Sequence, residues 1–377
     1  MTPNPREAIG RRKTELDTPC LLIDLDRLDE NLQKMQGRVK AAGKALRPHA
    51  KTHKCSTLAK MQIANGAIGT CAAKIAEAEA LVTAGISGVL LTGPVAGRTK
   101  ADRLVALLER APFLIAVVDD PAGIELLEAR LAAAGRRLDV LLDLDVGQHR
   151  TGVPPARAAA RAETILACPH LRLRGVQAYA GHLQHIPRYA DRKLASREAL
   201  RQAAAVFREL RERASSCDIF SGSGTGTARI DLAIPELTEL QAGSYALMDA
   251  EYLAIESADG SEEADYTPAL TLLTTVVSGP HGRQVTVDAG LKAIYRDGGK
   301  PRVIHPDYRR LQYEWFGDEY GRLVAPDRAC LLPAPGTVLE LIVSHCDPTV
   351  NLFDQFLVTR AERVIDVWPI DLRGRCQ

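Results

Sequence analysis

The sequence has no excess charge of either sign: 48 Lys and Arg stand against 47 Asp and Glu in 377 residues. That balance excludes a nucleic-acid binder working through a broad basic face, and it excludes an acidic disordered chain. No apolar run approaches the ~20 residues that span a bilayer, and the opening MTPNPREAIGRRKTELDTP lacks the apolar core of a secretory signal. Eight Cys lie scattered without a C-x-x-C pair, so neither a disulfide framework nor a zinc ribbon is indicated. No G-x-G-x-x-G follows the first strand-like run, which weighs against a Rossmann domain. Repeats and low-complexity tracts are also missing. What survives these exclusions is a cytoplasmic α/β protein acting on a small molecule, with no nucleic-acid or membrane partner.

Two textures divide what is present. Residues 20–260 alternate short apolar runs with stretches of helical period. The runs fall at 20–25 (CLLIDL), 45–51, 67–72, 88–91, 113–118, 138–144, 175–180, 217–220 and 237–241, and the longest helical stretch at 190–213. Such βα alternation predicts a parallel sheet, and about eight units favour a (β/α)8 TIM barrel. A barrel takes about 250 residues, so roughly a third of the chain is surplus to it. The surplus reads differently: 269–278, 283–288, 337–344 and 356–369 are Val/Leu/Thr-rich runs broken by Gly, Pro and Asp. The expectation is a barrel over 20–260 and a C-terminal all-β domain from 1–19 plus 261–377, joined near 259–265.

Four clusters could carry chemistry. Residues 47–54 (RPHAKTHK) place Lys51 at the expected C-terminal end of a strand, where barrel active sites lie. The plain alternative is a basic surface turn. Partial burial there predicts a lowered pKa and a nucleophilic amine. Residues 221–227 (SGSGTGT) follow a strand and alternate Gly with hydroxyls, so backbone N–H groups can approach a phosphate. They lack the Gly-Lys-Ser/Thr ending of a P-loop, and a flexible loop is the alternative. Residues 241–245 (QAGSY) could close the other side. A Schiff-base Lys with a barrel phosphate cradle suggests pyridoxal phosphate. On an extended chain i and i+2 share a face, so His345 and Asp347 of SHCDPT could reach one ion while Cys346 points away. That donor pair suits Mn²⁺, Mg²⁺ or Co²⁺ with water completing the shell, although an H-x-D pair is more often structural. Residues 177–185 (QAYAGHLQH) and 143–152 (DLDVGQHRTG) end other strands and offer Tyr179, His185 and Arg150, or else ordinary polar trim.

The stretches TPCLLIDLDRLDENL, LRPHAKTHK, DVGQHRTG, QAYAGHLQH, GSGTGT, TELQAGSYALMD, VDAGLKA, GDEYG and SHCDPTVNLFD, in that order across nearly the whole chain, resemble the D-threonine aldolase and D-serine dehydratase group of fold-type III pyridoxal-phosphate enzymes, relatives of alanine racemase. The resemblance implies Lys51 as the cofactor lysine and Tyr179 on the pyridine nitrogen. It implies Gly224 and Thr225 on the phosphate with Ser244 and Tyr245 assisting, and Arg150 near the ring. It further implies His345 and Asp347 on a divalent metal, Mn²⁺ first, and a homodimer with active sites at its interface. The dehydratases carry H-x-C for zinc, so Asp347 is similar to the aldolase branch. That branch implies metal-dependent cleavage of D-3-hydroxy-α-amino acids (D-threonine, D-allo-threonine, aryl analogues) to glycine and an aldehyde. His185 serves as base or orients a water. The alternative is a dehydratase for D-serine or 3-hydroxyaspartate. Two residues depart from the group's pattern: Tyr320 in GDEYG stands where the aldolases carry His, and His182 where a small residue is expected.

Overall fold

The computed structural model describes residues 5–258 and 265–377. The joint expected near 259–265 therefore falls almost entirely outside the described residues.

Eight parallel strands form the first sheet: β2 (Ala45–Leu46), β3 (Thr70–Ala72), β4 (Val89–Leu91), β5 (Ile115–Val118), β6 (Leu138–Leu144), β7 (Leu171–Ala178), β8 (Ile219–Gly222) and β9 (Glu239–Leu240). Their order, β2-β9-β8-β7-β6-β5-β4-β3, closes through a bridge between His49 and Cys71. Helices α1 (Leu25–Ala41), α2 (Ser56–Ala64), α3 (Ile75–Thr83), α4 (Arg98–Leu107), α5 (Pro121–Ala134), α6 (Ala158–Leu166), α7 (Tyr189–Arg213) and the short α8 (Ala228–Asp231) alternate with these strands. Their formation follows local rules. In α5, Asp120 caps the first turn through Ala122 N–H at 2.9 Å, Pro121 starts the helix, and Gly135 ends it at φ 61°.

Side-chain alternation turns the barrel interior into two layers. Cys71, Leu90, Ile115, Val117, Leu141 and Ile219 pack as one apolar cluster. Two residues further along β6, β7 and β8, the inward positions become Asp143, Gln177 and Ser221, registered side by side. The strands thus end, on the catalytic side, in a polar floor. Gly175 has no side chain because a Cβ there would lie 1.9 Å from the carbonyl oxygen of Ile219. Across the β2–β9 pairing, Arg47 grips Glu239 through two bonds of 2.9 Å. Both are buried, so each neutralises a charge its partner could not leave bare.

The second sheet has nine strands: β1 (Cys20–Asp24), β10 (Leu270–His281), β11 (Gln284–Val287), β12 (Arg302–Val303), β13 (Gln312–Trp315), β14 (Gly321–Val324), β15 (Val338–Ile342), β16 (Gln355–Arg360) and β17 (Arg363–Pro369). One expectation is corrected here. The run CLLIDL is a strand, but it is not a barrel strand. It pairs antiparallel with β10 and parallel with β16, and α1 then carries the chain into the barrel. An apolar run buried on both faces fits either sheet, so the run alone does not say which. With it removed, the eight remaining runs match the eight barrel strands. Strands β12, β13 and β14 were not anticipated; they are two to four residues long and lack an apolar run. Among the described residues no helix is long and apolar enough to cross a membrane.

Candidate active site

The ends of the barrel strands open into a cavity of about 390 Å³ whose wall includes His49, Lys51, Arg150, Tyr179, Thr225 and Ser244. Lys51 lies in a single turn, Ala50–Thr52, just past β2. His49 holds that turn by accepting the Lys51 backbone N–H on Nδ1 at 3.3 Å. The Lys51 amine reaches Asp347 Oδ1 at 2.8 Å. The C-terminal domain therefore meets the barrel lysine within one chain. This contact reverses the expected basicity. Asp347, the largest influence, raises the Lys51 pKa above its ordinary value and outweighs burial, which would lower it. Burial would raise the Asp347 carboxyl, but Lys51 and His345 hold it well below the usual carboxylate range.

His345 and Asp347 are neighbours in space, though not by the expected geometry. His345 is extended (φ −145°, ψ 126°) and precedes a helical turn, α9 (Cys346–Val350), whose first turn contains Asp347. The turn brings His345 Nε2 to 3.6 Å from Asp347 Oδ2. Cys346 does face away: its backbone N–H donates to Asp249 at 2.9 Å and its thiol to the Met248 carbonyl at 3.2 Å. His345 Nδ1 faces Asp297 at 3.1 Å. Burial would lower the His345 pKa, yet the hydrogen bond and charge of Asp347 raise it to about 9.

His185 sits beside this pair. Its Nδ1 lies 3.4 Å from Glu251 and its ring packs 4.5 Å from that of Tyr252. Its Nε2 is buried with no hydrogen-bond partner. Burial, then the charges of His345 and Lys51, push its pKa down to about 4.

The glycine loop after β8 is shaped by Gln184. The Gln184 Oε1 accepts from Gly226 N–H at 3.0 Å and Thr227 N–H at 3.3 Å, while its amide donates to Thr227 Oγ1 at 3.1 Å. A Cβ on Gly224 would come within 2.5 Å of the same Oε1. Ser244 lines the cavity. Tyr245 meets the loop through its backbone. Its ring is fully buried, its hydroxyl accepts from Gln62 at 3.1 Å, and it gives the loop only its backbone N–H, to Thr225 Oγ1 at 3.0 Å. The Arg150 guanidinium lies 5.8 Å from the Tyr179 ring centre. His182 and Tyr320 are solvent-exposed.

The cavity suits a planar anionic cofactor. It offers an amine on one wall, hydroxyls and a glycine loop on another, and in Arg150 a cation that no carboxylate pairs with among the described residues. The His345–Asp347 pair suits a divalent ion. The Asp347 carboxylate is buried, with the Lys51 amine 2.8 Å from Oδ1 and His345 Nε2 3.6 Å from Oδ2, so its place in the fold calls for a cation facing it. Among the described residues no third His, Cys, Asp or Glu completes a ligand cluster, so water or substrate would fill the remaining positions.

Several wall residues had not been singled out. Gln177 and Gln184 stand inside QAYAGHLQH, and strand alternation from Tyr179 or from the chain's other inward positions would have found Gln177. Glu251, Tyr252 and Asp297 carry no signal in the sequence, because the first two reach the site from one connecting segment and Asp297 from another, with no strand or helix period to mark them.

Residues 23–251 match the family described as alanine racemase, N-terminal domain, and residues 269–359 the putative serine dehydratase domain. A D-threonine aldolase from Arthrobacter sp. is 38% identical over 97% of this chain and 95% of its own length. A 3-hydroxy-D-aspartate aldolase from Paracoccus denitrificans is 36% identical over 97% of this chain and 94% of its own. The crystal structure of D-threonine aldolase from Filomicrobium marinum superposes with a TM-score of 0.91 at 36% identity, covering 98% of both chains.

Proposed function

The chain belongs to the D-threonine aldolase family of alanine racemase-like enzymes, and from that premise we propose that it cleaves D-3-hydroxy-α-amino acids to glycine and an aldehyde, using pyridoxal phosphate and a divalent metal, Mn²⁺ first. The observation that carries this reading is the 2.8 Å contact between Lys51 and Asp347, which sets the candidate cofactor lysine directly beside a candidate metal donor.

Pyridoxal phosphate supplies an electron sink for the bond that breaks at Cα. His345 and Asp347 would hold a divalent ion, which would supply Lewis acidity toward the β-hydroxyl. The chain's own residues do the rest. Gly224, Thr225 and Ser244 would hold the phosphate, and Tyr179 and Arg150 would fix the ring, so that the Cα–Cβ bond is oriented before it breaks. His185 is neutral above pH of about 4, so its bare Nε2 can take the β-hydroxyl proton or hold a water that does. As that proton leaves, the C–O bond becomes a carbonyl and Cα–Cβ cleaves. Lys51, once free as its ammonium, would supply the proton that Cα needs and be left as a neutral amine, so that glycine can leave. The buried Asp347 carboxylate keeps a cation in this place whether the metal is bound or only Lys51 faces it.

Dehydration is the second reading, favoured by the match of residues 269–359 to a putative serine dehydratase domain. Asp347, where dehydratases of the group carry Cys, argues for the aldolase. Incubating the holoenzyme with D- and L-threonine, with and without Mn²⁺, decides between them. Glycine and acetaldehyde from the D isomer alone, dependent on metal, are expected. A 2-oxo acid with ammonia would replace the aldolase by the dehydratase, and cleavage of L-threonine alone would overturn both. We also take the protein to be a cytoplasmic homodimer; half-exposed Tyr295, Phe316 and Tyr320 in the β domain support an apolar contact with a second copy.

A further inference from the structure

The geometry points to Asp297 as a positioning residue for His345, fixing which ring nitrogen faces the metal. This inference rests on the metal-dependent reading above. His345 has two nitrogens with different neighbours. Its Nε2 looks toward Asp347 Oδ2 at 3.6 Å, and its Nδ1 meets Asp297 Oδ2 at 3.1 Å. A carboxylate on Nδ1 holds the proton there, leaves the Nε2 lone pair free for an ion, and stops the ring from flipping.

Asp297 is itself 57% exposed, and an exposed carboxylate alone would be a weak anchor. The chain two residues before it, at Tyr295, is however held from both sides of His345. Ser344, the residue before the histidine, donates its hydroxyl to the Tyr295 carbonyl at 2.7 Å. Thr349, one turn after it, accepts the Tyr295 backbone N–H at 3.3 Å. Both side chains are fully buried. Beyond Asp297, Gly298 packs so closely on Glu251 that a Cβ would lie 2.8 Å from its Oε2. The segment carrying Asp297 is therefore tied, through Tyr295 and Gly298, to the segments around His345 and Glu251. The sequence separates Asp297 from His345 by nearly fifty residues, so no motif joins them.

The test is Mn²⁺ titration of the cofactor-loaded protein, read by the electron paramagnetic resonance signal of the free ion. Asp297→Ala is expected to weaken Mn²⁺ binding about 10–100-fold, the usual effect of losing such a partner. Asp297→Asn keeps an acceptor for Nδ1–H and is expected to recover most of that loss. The absorbance of the lysine-bound cofactor should be unchanged in both. Asp297→Ala binding Mn²⁺ within about twofold of wild type overturns the assignment, as does Asp297→Asn failing as badly as the Ala variant. Loss of the cofactor band along with the metal would make the role structural and also overturn it. Wild-type protein that binds no Mn²⁺ overturns the metal reading itself, a separate and recognisable outcome.

Discussion

Lys51 and Asp231 show two ways in which surroundings decide a side chain's chemistry, a charged neighbour for the first and burial for the second. Lys51→Ala should remove the absorbance of lysine-bound pyridoxal and lower turnover by about 10³-fold or more; spectra and single-turnover assays of the purified variant check both. Asp231 ends α8, just beyond the glycine loop. It accepts from Ser196 at 2.6 Å, and its other oxygen has no donor. Burial raises its pKa from 3.8 to about 6 against the hydrogen bonds that favour the charge. The native state thus binds this proton more tightly than the unfolded chain. The stability it contributes is present below pH of about 4 and is lost as pH rises through about 6. Wild type compared with Asp231→Asn by urea unfolding should therefore lose relative stability across that window and level off above it. A comparison that does not vary with pH would show that the carboxyl is not held this way. Lys51 was legible from its neighbours LRPHAKTHK, but the direction of its pKa was not, since the carboxylate that sets it lies nearly three hundred residues away.

Among the elements, the glycine loop after β8 depends on a side chain that is not in it. Gln184 satisfies the backbone of Gly226 and Thr227 from the turn after β7. Gln184→Ala would leave two buried N–H groups without partners, at about 1–3 kcal/mol each. Its cofactor dissociation constant, measured by dilution of the loaded protein, should rise at least tenfold while the far-ultraviolet spectrum stays native. Gly175 in β7 is as constrained. Gly175→Ala forces a Cβ against the Ile219 carbonyl and should cost about 3 kcal/mol or more, seen as a fall in the urea midpoint. Strands of four to eight apolar residues and a 25-residue helix are visible in a sequence because their periods are long enough to register. The two-residue strands β2, β9 and β12 have no period at all. The first two were legible only through the rhythm of the units around them, and β12 had no rhythm to reveal it. The His345–Asp347 turn was found by its spacing although its conformation was read as extended; three residues of a helix start and of a strand can both bring i and i+2 together.

On the scale of the whole molecule, the two sheets are not two consecutive pieces of chain. Strand β1 lies between β10 and β16 in the second sheet, and Leu21, Leu22 and Ile23 are almost wholly buried there. Removing residues 1–24 should therefore expose the edges of β10 and β16 and yield aggregated protein, a result readable as loss of the soluble fraction on expression. An intact, soluble protein after that deletion would mean that β10 and β16 can close on each other. The proposed homodimer has its own test: light scattering of the wild-type protein at micromolar concentration should give twice the mass of one 40.8 kDa chain, and Phe316→Asp should shift it toward one.

The placement of β1 also bears on how the protein is made. Its two partners begin at residues 270 and 355, and a ribosome adds about 5–20 residues per second. For tens of seconds, roughly, the first strand to emerge has nowhere to pair, while the barrel that follows it can already begin to close. An apolar strand left waiting is the kind of segment that chaperones bind and that seeds aggregates. Heterologous yield should then respond to translation speed and to chaperone supply more than to any property of the finished active site.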